Sequence, residues 1–392
     1  MLFAFISRME TGPWGGSEEL WSQTAKRLRI QGHEVMASVR GWEGPTPPKL
    51  KELEDLGVAI SYRRPTRPLP VSKRILRRIP GDPFHIDWLN ALTFRKPDFV
   101  LISEPSNHMS KVICDALINN NIPFALILHG ATGTWWPADD EINDAVYIYQ
   151  HARAVFFVSD GTRQLTRKQV VSECLCTQVI RNPYNVNYDA TLPWPQYSDV
   201  WKAAVVGRLE PGSKGCDILL EVLGATKWKS RNLRVSFFGD GPNARSLKKY
   251  SEGLGLANVH FRGHATNIEE IWNENQVLLL PSRIEGMPLA VVEAMLCRRP
   301  CVATDVGGNA ELIQDSINGF LAEAPTVKHL DQAMERAWNL REQWREIGEK
   351  AGSTIRACIP SDPAGIFAAT LIQIALSPPC QINVPSVIPS ET

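Results

Sequence analysis

Short apolar runs alternate with longer amphipathic stretches through most of the chain. Runs at 2–6, 34–39, 98–103, 123–128 and 154–158 in the first half read as strands. Runs at 203–206, 233–238, 258–262, 276–280 and 300–303 in the second half read the same way. Between them lie patterns of helical period. At 17–31, Leu20, Trp21, Thr24 and Leu28 share one face and Gly32 ends the turn. Strand, helix and strand in succession make βαβ units, and their near-continuous apolar strands belong to parallel sheets covered on both faces. Residues 327–350, with Leu330, Met334, Ala337, Trp338 and Trp344, predict one long amphipathic helix. Residues 364–376 predict a last apolar helix that ends before Pro378 and Pro379.

The pattern divides into two doubly wound α/β domains facing a cleft at the carboxyl ends of their strands, where such sheets bind ligands. The first spans 1–190. Leu192-Pro193-Trp194-Pro195-Gln196-Tyr197-Ser198 marks a linker at 191–200. The second spans 201–360, a helix at 361–378 is expected to cross back to the first domain, and 379–392 reads as a disordered tail.

Composition narrows the function classes. In 392 residues, Lys+Arg is 42 and Asp+Glu is 42. With no net charge, the whole-protein field gives no reason to expect a nucleic-acid partner, and any anion must be held by a local patch. The apolar start at 1–6 is too short for a signal peptide. No run reaches the roughly 20 apolar residues of a spanning helix. The expectation is a cytoplasmic protein, at most peripheral at the inner face of a membrane. Eight Cys at 114, 174, 176, 216, 297, 301, 358 and 380 lack paired clusters of zinc spacing and read as reduced thiols. No metal and no cofactor are expected.

The candidate chemistry begins after the run ending at Leu280. In Ser282-Arg283-Ile284-Glu285-Gly286-Met287-Pro288-Leu289, Gly286 permits close approach of a ligand to the backbone and Pro288 suits a first helical turn. Free amides near Gly286 and Met287 then form an anion site at a helix start. Glu285 precedes that site, and Glu293 lies roughly 8 Å further along the helix axis. Carboxylates accept hydrogen bonds from hydroxyls. Two carboxylates around a phosphate position match a nucleotide sugar, whose diphosphate separates sugar from ribose. Gly207-Arg208-Leu209-Glu210-Pro211-Gly212-Ser213-Lys214-Gly215 follows another strand and supplies two cations. Arg208 and Lys214 there would stabilise charge on a departing diphosphate.

These residues resemble the family-four retaining glycosyltransferases of the GT-B fold, two Rossmann-like domains facing a cleft. Glu285 and Glu293 match the family's Glu-x7-Glu motif. Arg208 and Lys214 match its Arg and Lys after the first strand of the donor domain. Phe238-Gly239-Asp240-Gly241-Pro242, Val259-His260-Phe261-Arg262-Gly263, Gly307-Gly308-Asn309-Ala310-Glu311 and Asn318-Gly319-Phe320 are similar too. The likeness is dense over about 200–325 and sparser before it. It implies a nucleotide diphosphate sugar donor on the second domain, bound also by Leu289 and by Arg262 near the base, and a hydroxyl acceptor on the first. It implies that Glu285 contacts the donor sugar, Glu293 the ribose, and Arg208 and Lys214 the diphosphate. Transfer of a hexosyl group would retain configuration without metal.

In the first half, Gly15 and Gly16 resemble the family's glycine loop, which approaches the diphosphate from the opposing domain. His129 ends a strand, as the family's His near the reacting sugar does. Ser159 and Asn182 resemble polar positions of the later loops, and Trp135-Trp136 offers either stacking or packing. Arg63-Arg64, Arg67, Lys73-Arg74 and Arg77-Arg78 form a basic stretch at 63–78. It reads as a solvated loop or as a dock for an anionic membrane or phosphate-bearing acceptor. Two other functions stay open at this stage: a sugar-nucleotide epimerase of the same architecture, and a non-catalytic nucleotide-sugar-binding protein.

Overall fold

The computed structural model describes residues 1–10, 12–63, 86–107, 109–171, 177–196 and 199–378. The first sheet contains β1 (Leu2–Ser7), β2 (Glu34–Arg40), β3 (Ala59–Arg63), β4 (Phe99–Glu104), β5 (Phe124–Leu128), β6 (Ala154–Phe157) and β7 (Thr177–Val179). Its order is β3-β2-β1-β4-β5-β6-β7, all parallel. The second contains β8 (Trp201–Val206), β9 (Leu233–Phe238), β10 (Val259–Gly263), β11 (Val277–Leu280), β12 (Cys301–Thr304) and β13 (Phe320–Ala322). Its order is β10-β9-β8-β11-β12-β13, again parallel. In each sheet the order reverses beside the first strand, which opens a crevice at the carboxyl ends.

Helices cover both faces, so the central strands bury alternate residues on opposite sides. Phe3 and Phe5 join one core with Trp21 and Leu101, while Ala4 and Ile6 join another with Val100 and Ile102. The first core continues into the second domain, through Leu280, Met287 and Val292 to Phe367. The two domains therefore share apolar contact.

Strands β3, β7 and β13 escape the sequence pattern. Two are sheet-edge strands only three residues long, and β3 is an edge strand with exposed positions. The single helix expected at 327–350 is two helices. Val327–Asn339 ends at Leu340, a tight turn follows at Arg341–Gln343, and Trp344–Cys358 continues in a new direction. Trp344 decides the break. Its indole packs edge-on to Trp201 at 5.1 Å, and its Nε1 donates to the Ala337 carbonyl at 2.9 Å. Burying that ring outweighs helical continuity.

Between the sheets, buried Arg299 donates to the carbonyls of Trp272, Cys297 and Pro193 and stands 5.1 Å over Trp194, which pins the connecting segment. Helix Pro363–Leu376 packs on helix Gly16–Ile30 of the first domain, with Phe367 edge-on to Phe156 at 4.9 Å. Residues Arg341–Leu376 contain a window of mean hydropathy 1.3. That segment is interrupted at Ile359–Asp362, and its apolar helix has 14 residues. At 1.5 Å per residue, that helix is shorter than the roughly 30 Å of a bilayer core.

Of the basic stretch at 63–78, only Arg63 lies among the described residues. It is buried, donates to Ser38 Oγ and to the carbonyls of Ser38 and Ser7, and stands 5.2 Å over Trp88. Arg63 is thus a ligand of the sheet and not part of a docking surface. The rest of the stretch, Cys174, Cys176, Cys380 and the tail at 379–392 lie outside the described residues. Cys114, Cys216, Cys297 and Cys301 are buried free thiols and Cys358 is exposed.

Candidate active site

Two loops of the second domain interlock. The loop after β8 carries Arg208 and Lys214, and the loop after β11 carries Glu285. Gly215 has φ 59°, and a Cβ there would lie 1.9 Å from the Pro281 carbonyl oxygen. Only glycine satisfies both conditions. The Ser213 carbonyl accepts from the amides of Arg283 at 2.7 Å and Ile284 at 3.1 Å. Arg283 grips Asp217 with both ends of its guanidinium, at 2.6 and 2.7 Å.

This interlock sets Lys214 Nζ 2.7 Å from Glu285 Oε1, which also accepts from Ser282 Oγ at 2.7 Å. The Glu285 side chain is 7% exposed and that of Lys214 is 28% exposed. Arg208 Nη2 lies 2.6 Å from Glu210 Oε2, an oxygen that Ser213 Oγ also reaches at 2.9 Å. Arg208, Lys214 and Glu285 therefore belong to one loop pair at the carboxyl end of the second sheet.

Helix Leu289–Leu296 starts one residue later than the sequence suggested, with Pro288 as its N-cap. The Pro288 carbonyl accepts from Val291 and Val292. The N–H groups of Gly286 and Met287 find no acceptor among the described residues. They stand free at a helix start, as an anion site requires.

Glu293 has other company. It is buried, and its Oε1 accepts from the Asn185 amide at 2.9 Å and from Asn185 Nδ2 at 3.0 Å. Burial pushes its carboxyl up to about 7. Lys49 Nζ donates to Asn185 Oδ1 at 3.0 Å and to both oxygens of Glu19, at 2.6 and 2.5 Å. Glu293 thus sits in a network between the domains and, among the described residues, shares no hydrogen-bond partner with Lys214. Asn185, Lys49 and Glu19 gave no signal in sequence, because nothing in their local pattern distinguishes them from surface positions.

The first domain closes the other side. Gly15 is the N-cap of helix Gly16–Ile30, and a Cβ at Gly16 would lie 3.3 Å from Leu289 Cδ1. A Cβ at Gly286 would lie 1.8 Å from the His129 carbonyl oxygen. Gly161 and Gly307 also meet closely, a Cβ on Gly161 falling 2.4 Å from the Gly307 carbonyl oxygen. Glu311 bridges the seam, accepting from the Gly161 amide and from Arg181 Nη1, both at 2.9 Å. These glycine contacts were not legible, since sequence shows a glycine but not the backbone it faces.

His129 is buried at this seam. Its Nε2 lies 3.1 Å from Ser103 Oγ, and its Nδ1 has no partner among the described residues. Burial lowers its pKa to about 3, so the ring is neutral at physiological pH. A neutral imidazole can donate or accept a hydrogen bond to a sugar hydroxyl. Ser159 caps helix Asp160–Val170, and Asn182 is buried with Oδ1 unpartnered among the described residues. Trp136 is exposed. Arg262 and His264 are exposed. Arg262 is the extra residue where the register of β10 on β9 shifts between Phe261 and Gly263, and such a bulge re-aims a side chain.

Two free amides and a neutral imidazole thus meet where the domains touch, and the cations Lys214 and Arg208 lie in the adjoining loop pair. That set can hold a diphosphate on one side and a hydroxylated ring on the other.

Comparison with known proteins agrees with the two-sheet fold. Residues 14–188 match the sequence profile described as Glycosyltransferase Family 4, and residues 202–339 match that of Glycosyl transferases group 1. An uncharacterised glycosyltransferase of Methanocaldococcus jannaschii is 26% identical over 243 residues, covering 60% of this chain and 64% of its own. The poly(ribitol-phosphate) alpha-N-acetylglucosaminyltransferase of Staphylococcus aureus is 28% identical over 152 residues, covering 38% of this chain and 31% of its own. The matched region is thus less than two thirds of the length of either relative. Among solved structures, Anabaena HepE in complex with UDP-glucose superposes with a TM-score of 0.73 at 18% identity, covering 95% of this chain and 99% of HepE. Two parallel Rossmann-like sheets, a charged loop pair at their seam and matches across both domains place the chain among the family-four-type glycosyltransferases of the GT-B fold.

Proposed function

We propose that this protein transfers a hexosyl group from a nucleotide diphosphate sugar to a hydroxyl acceptor with retention of configuration, in the synthesis of a glycan. The observation that carries the reading is the Lys214–Glu285 pair, set beside the free amides of Gly286 and Met287 and against His129. The diphosphate lies on those amides and on Lys214 and Arg208. Glu285 accepts from hydroxyls of the donor sugar, and Glu293 accepts from the ribose through the oxygen that Asn185 leaves free. His129, neutral, orients the sugar. Arg262, on its bulge, serves the base.

The bond from the anomeric carbon to the phosphate oxygen breaks as negative charge grows on the diphosphate. Arg208, Lys214 and the two amides stabilise that charge more than the ground state. The acceptor oxygen bonds the anomeric carbon from the face the phosphate leaves, and the departing phosphate oxygen takes the acceptor's proton. Charge on the leaving group is met by side chains and backbone, so no metal is required for this step. HepE has been solved with UDP-glucose, which makes that sugar nucleotide the first donor to try.

The test is the anomeric configuration of the sugar released from UDP-glucose, followed by proton NMR before mutarotation. Release of the α anomer supports retention; release of the β anomer overturns it.

A further inference from the structure

Three arginines stand side by side along the carboxyl edge of the first sheet. Arg40 pairs with Arg63, and Ile6 with Ser38, so Arg8, two residues past Ile6, lies level with Arg40. Ser7 pairs with Ser103, which puts Glu104 next in the row. Glu104 pairs with Leu128, and the amide of the next residue, His129, donates to the Glu104 carbonyl at 3.0 Å. The edge therefore reads Arg63, Arg40, Arg8, Glu104, Leu128, at a strand spacing of about 4.8 Å, with His129 one residue beyond it.

These arginines serve different ends. Arg63 is buried and bound to the sheet, as described above. Arg8 and Arg40 are half-buried, and the Nε of each is buried without a hydrogen-bond acceptor among the described residues. Arg8 Nη2 lies 3.4 Å from Glu10 Oε1, and its Nε lies 3.8 Å from Glu104 Oε2. Both exceed the roughly 2.7–2.9 Å of a charge-assisted hydrogen bond. Arg40 Nη1 reaches the Glu10 carbonyl at 3.3 Å, and its guanidinium stands 4.6 Å over Trp42. Buried guanidinium edges without acceptors are costly in a finished fold and fit one that awaits an anion.

The row leads to the donor loop. The Arg8 amide donates to the Ser103 carbonyl at 2.9 Å, Ser103 Oγ meets His129, and His129 abuts Gly286. We infer that the acceptor carries an anionic group, carboxylate or phosphate, close to its attacking hydroxyl, and that Arg8 and Arg40 hold it. The inference rests on the transferase reading and names its acceptor class. Glu10 occupies the place meanwhile. Its side chain is 57% exposed, and an ion pair of that kind is weak and readily exchanged. The other acids nearby, Glu18 and Glu104, are both pushed up to about 7 by burial and do not cancel the arginines in full.

The experiment uses the full chain saturated with UDP, so that the diphosphate position is filled. Calorimetry then measures p-nitrophenyl β-glucuronide, p-nitrophenyl phosphate and neutral p-nitrophenyl β-glucoside. One or both anionic probes should bind at least about tenfold tighter than the glucoside, and which one does tells carboxylate from phosphate. Arg40→Gln and Arg8→Gln should abolish the preference with UDP affinity unchanged, and Glu10→Gln should strengthen it. Arg40 carries the test if Arg8→Gln fails to fold. Equal binding of all three probes, or a preference that survives Arg40→Gln, overturns the inference. If UDP fails to bind, GDP or ADP takes its place; failure of the wild-type chain to bind any of the three overturns the transferase reading, and the inference falls with it.

Discussion

Lys214 Nζ lies 2.7 Å from Glu285 Oε1, and this bond ties together two loops 71 positions apart. Glu285 is nearly buried, so its carboxylate depends on Lys214 and Ser282 for compensation. Glu285→Gln keeps the shape and removes the charge. The expected result is a fall in kcat of about 10²–10³-fold, the scale for losing one group that acts in the transition state. Steady-state kinetics with the melting temperature alongside separates this from unfolding, since the melting temperature should move by only a few degrees.

Gly286 faces the His129 carbonyl with no room for a Cβ. Gly286→Ala must hold the domains apart or shift the loop that carries the free amides. Besides the shared core, each domain has one of its own, so the variant should fold. Activity should drop by about 10²-fold, the scale for a misplacement near 1 Å. Circular dichroism should match the wild type, while small-angle scattering with UDP-glucose should show a more open particle. A compact, active Gly286→Ala protein would mean that this contact is not part of the working site.

Glu293 gives stability a pH signature. Its carboxyl is raised from 4.5 to about 7 by burial, so the native state holds a proton there that the unfolded chain has lost. Stability from this source is fully present below about pH 4.5 and is lost as pH rises through about 7. The loss is on the order of 3 kcal/mol at most. Glu293→Gln should thus be more stable than wild type at pH 8 and indistinguishable from it near pH 4.5. Urea unfolding at both pH values measures the difference.

His129 behaves in the opposite sense. Burial lowers its pKa to about 3, so the unfolded chain binds the proton more readily. Its contribution to stability is present above about pH 6.5 and is lost as pH falls toward 3. In the native protein the ring should stay neutral from pH 5 to 8. Nitrogen-15 NMR of the histidine side chains should show one ring that does not titrate in that range, absent from His129→Asn. A His129 titration near pH 6.5 would contradict its placement.

The central strands of both sheets were readable in the sequence because helices cover them on both faces, leaving apolar runs such as those of β4 and β5. Edge strands β3, β7 and β13 are short or half-exposed and carry no such pattern. The helix break at Leu340 depends on Trp344 finding Trp201, a contact between distant positions. In the site, Arg208, Lys214 and Glu285 were legible because they sit in loops directly after apolar strands. Their convergence was implied by the resemblance, but its cause, Gly215 fitting against Pro281, was not legible. Glu293 was expected to face the ribose, further along the helix. Its bond to Asn185, a partner 108 positions away, was not legible, because that contact exists only in the folded arrangement of the two halves.

In the proposed reaction, Arg208 and Lys214 receive the diphosphate of the donor. Titration calorimetry of UDP against the wild type, Arg208→Gln and Lys214→Ala tests it most directly. Removing a charged hydrogen-bond donor of this kind should weaken binding about ten- to a hundredfold in each variant, with folding intact. Wild-type affinity in both variants would contradict the claim.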